Sequence, residues 1–416
     1  MISSRRCSSS SRAIALALLV SCATGMAGCR HGAGPAVVRP EPADGDRLRV
    51  VLLPFENLSG ASVSFKDLAT AIEIALRRRV EVVSGDIVEQ FLAQHRLRYT
   101  GGIDAEVARA ARDELGADAI AITSVFSYRP VPFPLLGVSM RLVATGEEPT
   151  ILWMETSSRV GDENPGLLRL GIIDSMREVQ ALVVDRLTAS LDRFLAGRRP
   201  DDIGCGGPGF WNGPRVRYRA PLLDDPYQYS LAVLPLLNRS GRRGAGEAME
   251  LDFIRQLVAT GKYKVLEPGV VRDLMLRYRI IIPGGVSLEA TRLLLGGLGV
   301  ELVVSGTVFD FDEAAGAAGS RLQFSATMLD GGTGEVVWQS TSTSRGDDGV
   351  FAFGLGRIAT VGRLSCRMVA GVVSQLADPS KFSSNTPPRR SNRKAFGVFE
   401  KSASAAPSPP ADERGR

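Results

Sequence analysis

The feature that most restricts this chain is a stretch written twice. Residues 49–60 read Arg-Val-Val-Leu-Leu-Pro-Phe-Glu-Asn-Leu-Ser-Gly, and residues 230–241 read Ser-Leu-Ala-Val-Leu-Pro-Leu-Leu-Asn-Arg-Ser-Gly. In each copy an aliphatic run ends at a proline, Pro54 or Pro235, and an asparagine follows three residues later. Such a run suits a strand covered on both faces. Pro withholds a ladder donor, Asn57 and Asn238 bond back to their own turn, and Gly60 and Gly241 tolerate positive φ. The expected skeleton is therefore strand, stop and turn, made twice.

The rest of the chain repeats around these two anchors. In the first copy Leu68, Ile72 and Leu76 recur at helical spacing, and a short strand follows at 80–83. A second helix then turns Ile87, Phe91 and Leu92 inward, and Gly101-Gly102 breaks it. A third helix, 104–115, starts at an Asp cap and stops at Gly116. Strands are expected at 118–127, 137–144 and 150–157, then a long helix over 167–195. In the second copy Met249, Phe253 and Leu257 echo the first helix, and 263–267 the short strand. Val270, Leu274 and Met275 echo the second helix, Gly284-Gly285 the glycine pair, Leu298-Gly299-Val300-Glu301 the stretch 115–118, and Trp338 echoes Trp153. The offset drifts from 181 through 183 to 185 residues, as in two diverged copies of one unit with small loop insertions.

The 416 residues divide accordingly. Residues 1–28 are a signal segment, 29–47 a tether, 48–196 domain 1, 197–228 a Gly/Pro-rich linker, 229–377 domain 2 and 378–416 a disordered basic tail. In the linker, Phe210 and Trp211 are expected to pack onto a domain face. The net charge of +5 sits at the ends: the last 36 residues carry +5 and the first 28 carry +3. That leaves the body mildly acidic, so composition argues against a nucleic-acid partner.

Arg5, Arg6 and Arg12 precede an apolar run at 13–20, too short to span a membrane at ~20 residues. Met26-Ala27-Gly28-Cys29 and Leu19-Val20-Ser21-Cys22 both resemble a bacterial lipobox. Cys29 is the preferred lipidation site because Ala-Gly-Cys precedes a tether; Cys22 is the alternative, with the better-fitting Leu at its −3 position. An ordinary cleaved signal without lipid is the third reading. Lipidation would make the membrane a partner through acyl chains. By resemblance to lipoproteins, the absence of Asp after either Cys points to the outer membrane, facing the periplasm. Cys205 and Cys366 admit one pairing, yet Cys366 lies in a helical pattern and reads more simply as a small buried residue.

With these residues placed, the order Leu-Pro-Phe-x-Asn-x-Ser-Gly, helices, Gly116-Ala117-Asp118 before a strand, and a hairpin bearing Thr333-Gly334-Glu335-Val336-Val337-Trp338 resembles the CsgG/TolB-N-terminal-like family of bacterial envelope proteins. The resemblance covers about 48–195 and 229–377. It implies an α/β fold of two tandem compact domains, each a mixed sheet packed with helices. It further implies a non-enzymatic protein, without cofactor, binding envelope proteins and leaving homo-oligomerisation open. Gly146-Glu147-Glu148-Pro149 departs from the family pattern.

No catalytic motif stands against that expectation. His95 falls opposite Tyr278 in the other copy and reads as a packing position. Gly354-Leu355-Gly356-Arg357 imitates a dinucleotide fingerprint but does not sit at a first βαβ turn. Asp310, Asp312 and Glu313 read as acids that keep a hairpin soluble, and Asp347-Asp348 as a turn, so no metal ligands are assigned. The functional candidate is the apolar loop Tyr128, Arg129, Pro130, Val131, Pro132, Phe133, Pro134, Leu135, Leu136, Gly137. Its three alternating prolines favour an extended run unable to pair in a sheet. Two readings stand open: an exposed tip for a partner or membrane, or Phe133 and Leu135 folded back over the core. The function expected is a lipid-anchored periplasmic scaffold or regulator in envelope assembly or secretion, with a CsgG-like outer-membrane channel subunit as the alternative.

Overall fold

The computed structural model describes residues 47–163, 170–198, 205, 213–280, 288–314, 319–350 and 356–377. Cys22 and Cys29 with their signal segment, Gly284-Gly285, Phe210, Trp211, Gly354-Leu355 and the basic tail lie outside the described residues.

The first copy runs β1 (Arg49–Leu52), β2 (Glu56–Asn57), α1 (Lys66–Arg77), β3 (Glu81–Val83), α2 (Asp86–Gln94), α3 (Ala105–Leu115), β4 (Ala119–Arg129), β5 (Leu135–Ala144), β6 (Ile151–Val160) and α4 (Met176–Leu195). An extra strand, β7 (Arg215–Arg219), and a 3-10 turn, Pro221–Asp224, come next. The second copy runs β8 (Tyr229–Val233), β9 (Leu237–Asn238), α5 (Ala245–Thr260), β10 (Tyr263–Val265), α6 (Pro268–Arg277), α7 (Leu288–Leu298), β11 (Leu302–Asp312), β12 (Arg321–Asp330), β13 (Val336–Arg345) and α8 (Val361–Ala377). This is the mixed α/β architecture expected, with one sheet per copy. Sheet 1 is ordered β3-β1-β4-β5-β6, sheet 2 β10-β8-β11-β12-β13-β7, and β2 and β9 pair with β4 and β11. In both, the first strand is parallel to its two neighbours and the last three strands of the copy form an antiparallel meander.

The repeated stretch does in both copies what its residues dictate. Asn57 accepts from the Ser59 amide at 3.1 Å and donates to the Ala61 carbonyl at 2.8 Å. Asn238 does the same with Ser240 and Arg242, at 3.0 and 2.7 Å. Gly60 takes φ +73°, but Gly241 is not in the left-handed region; there Gly244 takes φ +74°. Asp104 caps α3 through the Val107 amide, and Gly116 and Gly299 end their helices at φ +60° and +61°.

Four expectations need correction. On α2 the inward residue is Val88, and Ile87 is 59% exposed, because 88, 91 and 92 share the helical face. On α6 Val271 and Met275 are the buried pair, with Val270 and Leu274 half-buried. The long helix starts at Met176 rather than 167. The segment read as a linker holds β7, which pairs antiparallel with β13; its Arg-Val-Arg-Tyr-Arg alternation is that of a charged edge strand.

The copies stack in layers. Val50, Leu52 and Trp153 on one face of sheet 1 pack against Leu68, Ile72, Val183 and Leu187 of α1 and α4. The matching layer in copy 2, α5 and α8, packs on sheet 2 through Met249, Phe253, Met368 and Val372. That layer also meets sheet 1, so Ile122, Phe126 and Met154 share one apolar cluster with it. Consequently α5 is buried nearly all round, from Ala245 to Leu257, where α1 buries only one stripe. On the far face of sheet 2, Val271, Met275, Leu294 and Leu295 cover Ala232, Leu234 and Val303.

Candidate functional site

The proline loop is shorter than the sequence suggests. β4 continues through Tyr128 and Arg129 and β5 begins at Leu135, pairing Tyr128 with Leu136 and Arg129 with Leu135. Tyr128 sets its ring edge-on to Phe65 with centroids 5.5 Å apart. Leu135 and Leu136 are 2% and 0% exposed. Pro134 is buried, and Phe133 is half-buried against Leu135, Val160 and Ala359. Pro130, Val131 and Pro132 are exposed, Val131 at 71%. The prolines thus shorten the unpaired tip to three outward residues, and strand alternation buries the rest. Leu135 and in part Phe133 turn inward, while Pro130, Val131 and Pro132 form an exposed tip.

The densest polar chemistry lies where copy 2 covers sheet 1. Arg141, on β5, is 1% exposed and grips Glu267, at the start of α6, through bonds of 2.8 and 3.1 Å. It also donates to the Gly101 carbonyl at 2.7 Å. Burial alone would lower the Arg141 pKa, but the Glu267 carboxylate outweighs it and raises it. Glu56 accepts from Ser124 at 2.6 Å and lies against Gly101, where a Cβ would collide with its carboxylate. A Cβ on Gly102 would strike the Gly269 backbone and one on Gly269 the Ile103 backbone, so Gly102 and Gly269 let the copies approach. Glu250 is pushed well above the carboxylate range by burial and then by Glu247.

A second group of contacts sits along α5 and α8. Arg255 and Glu155, 3% and 1% exposed, pair at 2.6 Å. Asp252 accepts a short hydrogen bond from Ser365; burial pushes its carboxyl up to about 6 against the pull of Ser365 and Arg255. Arg242 donates to the Phe126 carbonyl at 2.7 Å and pairs with Glu313 at 3.3 Å. Glu313 also accepts from Ser127 and from the Val361 amide at the head of α8, at 2.8 and 2.9 Å. It therefore joins β4, the β11–β12 connection and a helix N-terminus, a helix-end carboxylate role rather than a merely solubilising one. Asp310 pairs with Arg321 at 2.8 Å, and Asp348 accepts from Ser344 and the Arg345 amide in a turn.

Cys205 and Cys366 are disulfide-bonded, with Cα atoms 5.5 Å apart. The reading of Cys366 as only a small buried residue is thus corrected: it is buried, and its sulfur is bonded to that of Cys205. Around the bridge lie Arg159, Arg186 and Arg363, and Glu163 pairs with both Arg159 and Arg363. Burial, then Arg159 and Arg367, lowers the Arg363 pKa to about 10. His95 does more than pack: it bonds Glu114 at 2.9 Å with its ring 4.6 Å from Phe91. Among the described residues no group of three His, Cys, Asp or Glu is placed to hold a metal ion.

Sequence reasoning did not single out Arg141, Glu155, Arg242, Arg255 or Glu267. The legible signal was a lone Arg inside the alternating run Leu135 to Ala144, where copy 2 has Thr327.

No family model and no curated protein matches the chain. Among solved structures it is similar to the PelC dodecamer from Paraburkholderia phytofirmans, 16% identical over 40% of this chain and 98% of that one, TM-score 0.27. It is similar to lipoprotein GNA1162 from Neisseria meningitidis, 14% identical over 35% of this chain and 99% of that one, TM-score 0.26. It is also similar to the LpoB C-terminal domain from Salmonella enterica, 18% identical over 28% and 87%, TM-score 0.22. Likenesses of this order carry no argument about function.

Proposed function

We propose that this chain is a lipid-anchored, non-enzymatic protein-binding scaffold or regulator in the assembly or secretion systems of a bacterial envelope, on the periplasmic face of the outer membrane. The observation that carries the reading is the Cys205–Cys366 bridge. Structural disulfides persist in oxidising compartments, so the bridge supports export independently of the basic and apolar N-terminal segment. The scaffold half rests on how the polar groups are spent. The pairs Arg141–Glu267 and Arg255–Glu155 hold one copy to the other, and Arg242 and Glu313 of copy 2 add hydrogen bonds to Phe126 and Ser127 of copy 1. A framework stiffened in this way presents surfaces to other proteins. The resemblance to CsgG/TolB-N-like envelope proteins agrees with that reading.

The channel alternative draws less support. The β4–β5 connection is residues 130–134, whereas a transmembrane strand needs about 9–11 residues. The test is fatty-acid labelling in the native host, followed by pull-down from solubilised envelopes. Label retained in Cys22→Ala and lost in Cys29→Ala, with specific envelope proteins recovered, is the expected result. An unlabelled wild-type protein, or recovery of abundant porins alone, overturns the proposal.

A further inference from the structure

The two copies present the same face of the sheet to different surroundings. In sheet 1, Ile122, Arg141 and Met154 form one cross-strand row, and Ser124, Ser139 and Thr156 the next. Phe126 sits at a bulge beside them, 4% exposed. Copy 2 buries this face: Gly362, at the head of α8, lies so close to the Phe126 ring that a Cβ would come within 2.7 Å.

In sheet 2 the corresponding rows are Ser305, Thr327 and Gln339, then Thr307, Ser325 and Thr341. Phe309 stands at the corresponding bulge, 183 residues beyond Phe126, and is 44% exposed. Gln339 and Thr343 are exposed, Tyr218 beside Gln339 is 48% exposed, and the other row members except Ser305 are half-buried. Beyond the part that α6 and α7 cover, copy 2 leaves open the region of the face that in copy 1 is covered by the other copy.

The helix layers differ in the complementary way. At the position of buried Arg255 in α5, α1 carries Ile74, 51% exposed. At the position of Arg367 in α8, α4 carries Leu182, 42% exposed. At these two positions the covered layer bears an arginine and the open layer an exposed aliphatic side chain. The ion pair Arg141–Glu267 is replaced on both sides as well. Its counterparts are Thr327 on the open sheet and Ser84 after β3, so repeating the contact would strand neither charge of that pair. At the Gly362 position α4 has Arg177, an exposed cation suited to lie over the Phe309 ring.

We infer that the open face of sheet 2 around Phe309 receives the α1–α4 layer of a second copy of this chain, repeating between molecules the contact that joins the repeats within one. The contact is heterologous, one surface meeting a different one, and so propagates to a ring or a short stack. It does not depend on the lipid anchor or on the proposed envelope role.

The test is sedimentation velocity of the full-length protein in detergent over a concentration series, with Phe309→Asp, Ile74→Asp and Leu182→Asp variants. Because these three side chains are exposed, the thermal unfolding of each variant should match that of wild type. Wild type should form dimers and larger species, and each variant alone should need at least tenfold more protein to associate. An equimolar mixture of Phe309→Asp and Ile74→Asp should form dimers and nothing larger, since one intact surface of each remains. A wild type that stays monomeric, association unchanged in the variants, or a mixture that forms no dimer overturns the inference.

Discussion

At the scale of single residues, the chain buries charge where it has built a partner for it. Arg141 and Arg255 are 1% and 3% exposed, and each meets a carboxylate and further polar atoms. A buried pair of this kind adds little net stability over an apolar one, but removing one partner costs about 3–5 kcal/mol. Asp252 has the clearest pH consequence. Burial, resisted by Ser365 and Arg255, raises its folded pKa from 3.8 to about 6. Below the unfolded value both states are protonated and stability is complete. As pH rises towards 6 the unfolded chain releases this proton first, so stability falls by on the order of 3 kcal/mol. Urea unfolding at pH 4 and pH 7.5 should show that loss in wild type and a smaller one in Asp252→Asn. Equal losses in the two proteins would contradict the assignment. Arg141 was legible as a charge inside an apolar alternation; Asp252 was not, because on an amphipathic helix an acid reads as the wet side.

At the scale of elements, α5 and β7 depart furthest from what their sequences suggest. Helix α5 reads as one-sided from Met249, Phe253 and Leu257, yet it is enclosed because sheet 1 lies on its other side. Strand β7 was hidden in a Gly- and Pro-rich stretch, since five residues of weak alternation do not outweigh that composition. The disulfide secures this same region, tying residue 205 to α8 across 161 residues of chain. Losing a native disulfide typically costs about 2–5 kcal/mol. Cys205→Ala/Cys366→Ala should lower the urea midpoint accordingly, and dithiothreitol should lower wild type to the same value. A midpoint indifferent to reductant would show that the bridge contributes nothing to the fold.

At the scale of the whole molecule, the duplication is a stack rather than two beads on a string. Ile122, Phe126 and Met154 of copy 1 share an apolar cluster with Phe253, Phe324 and Met368 of copy 2. Two buried ion pairs cross the same boundary, and Arg242 and Glu313 of copy 2 reach across it to the Phe126 carbonyl and the Ser127 hydroxyl. Calorimetry should therefore show a single transition with equal calorimetric and van't Hoff enthalpies; two resolved transitions would mean that the copies unfold independently. The sequence alone determined the repeat, its element order and its turns. Those depend on residues close in the chain: proline stops, the Asn57 and Asn238 turns, the Asp104 cap, and helical or strand periodicity. Only the tertiary structure decided which face of each copy is covered, which charges pair, that Cys205 meets Cys366, and that Phe126 is buried while Phe309 stands open. These are contacts between residues about 100 or more apart, and periodicity marks a face as apolar or polar without saying what will lie against it.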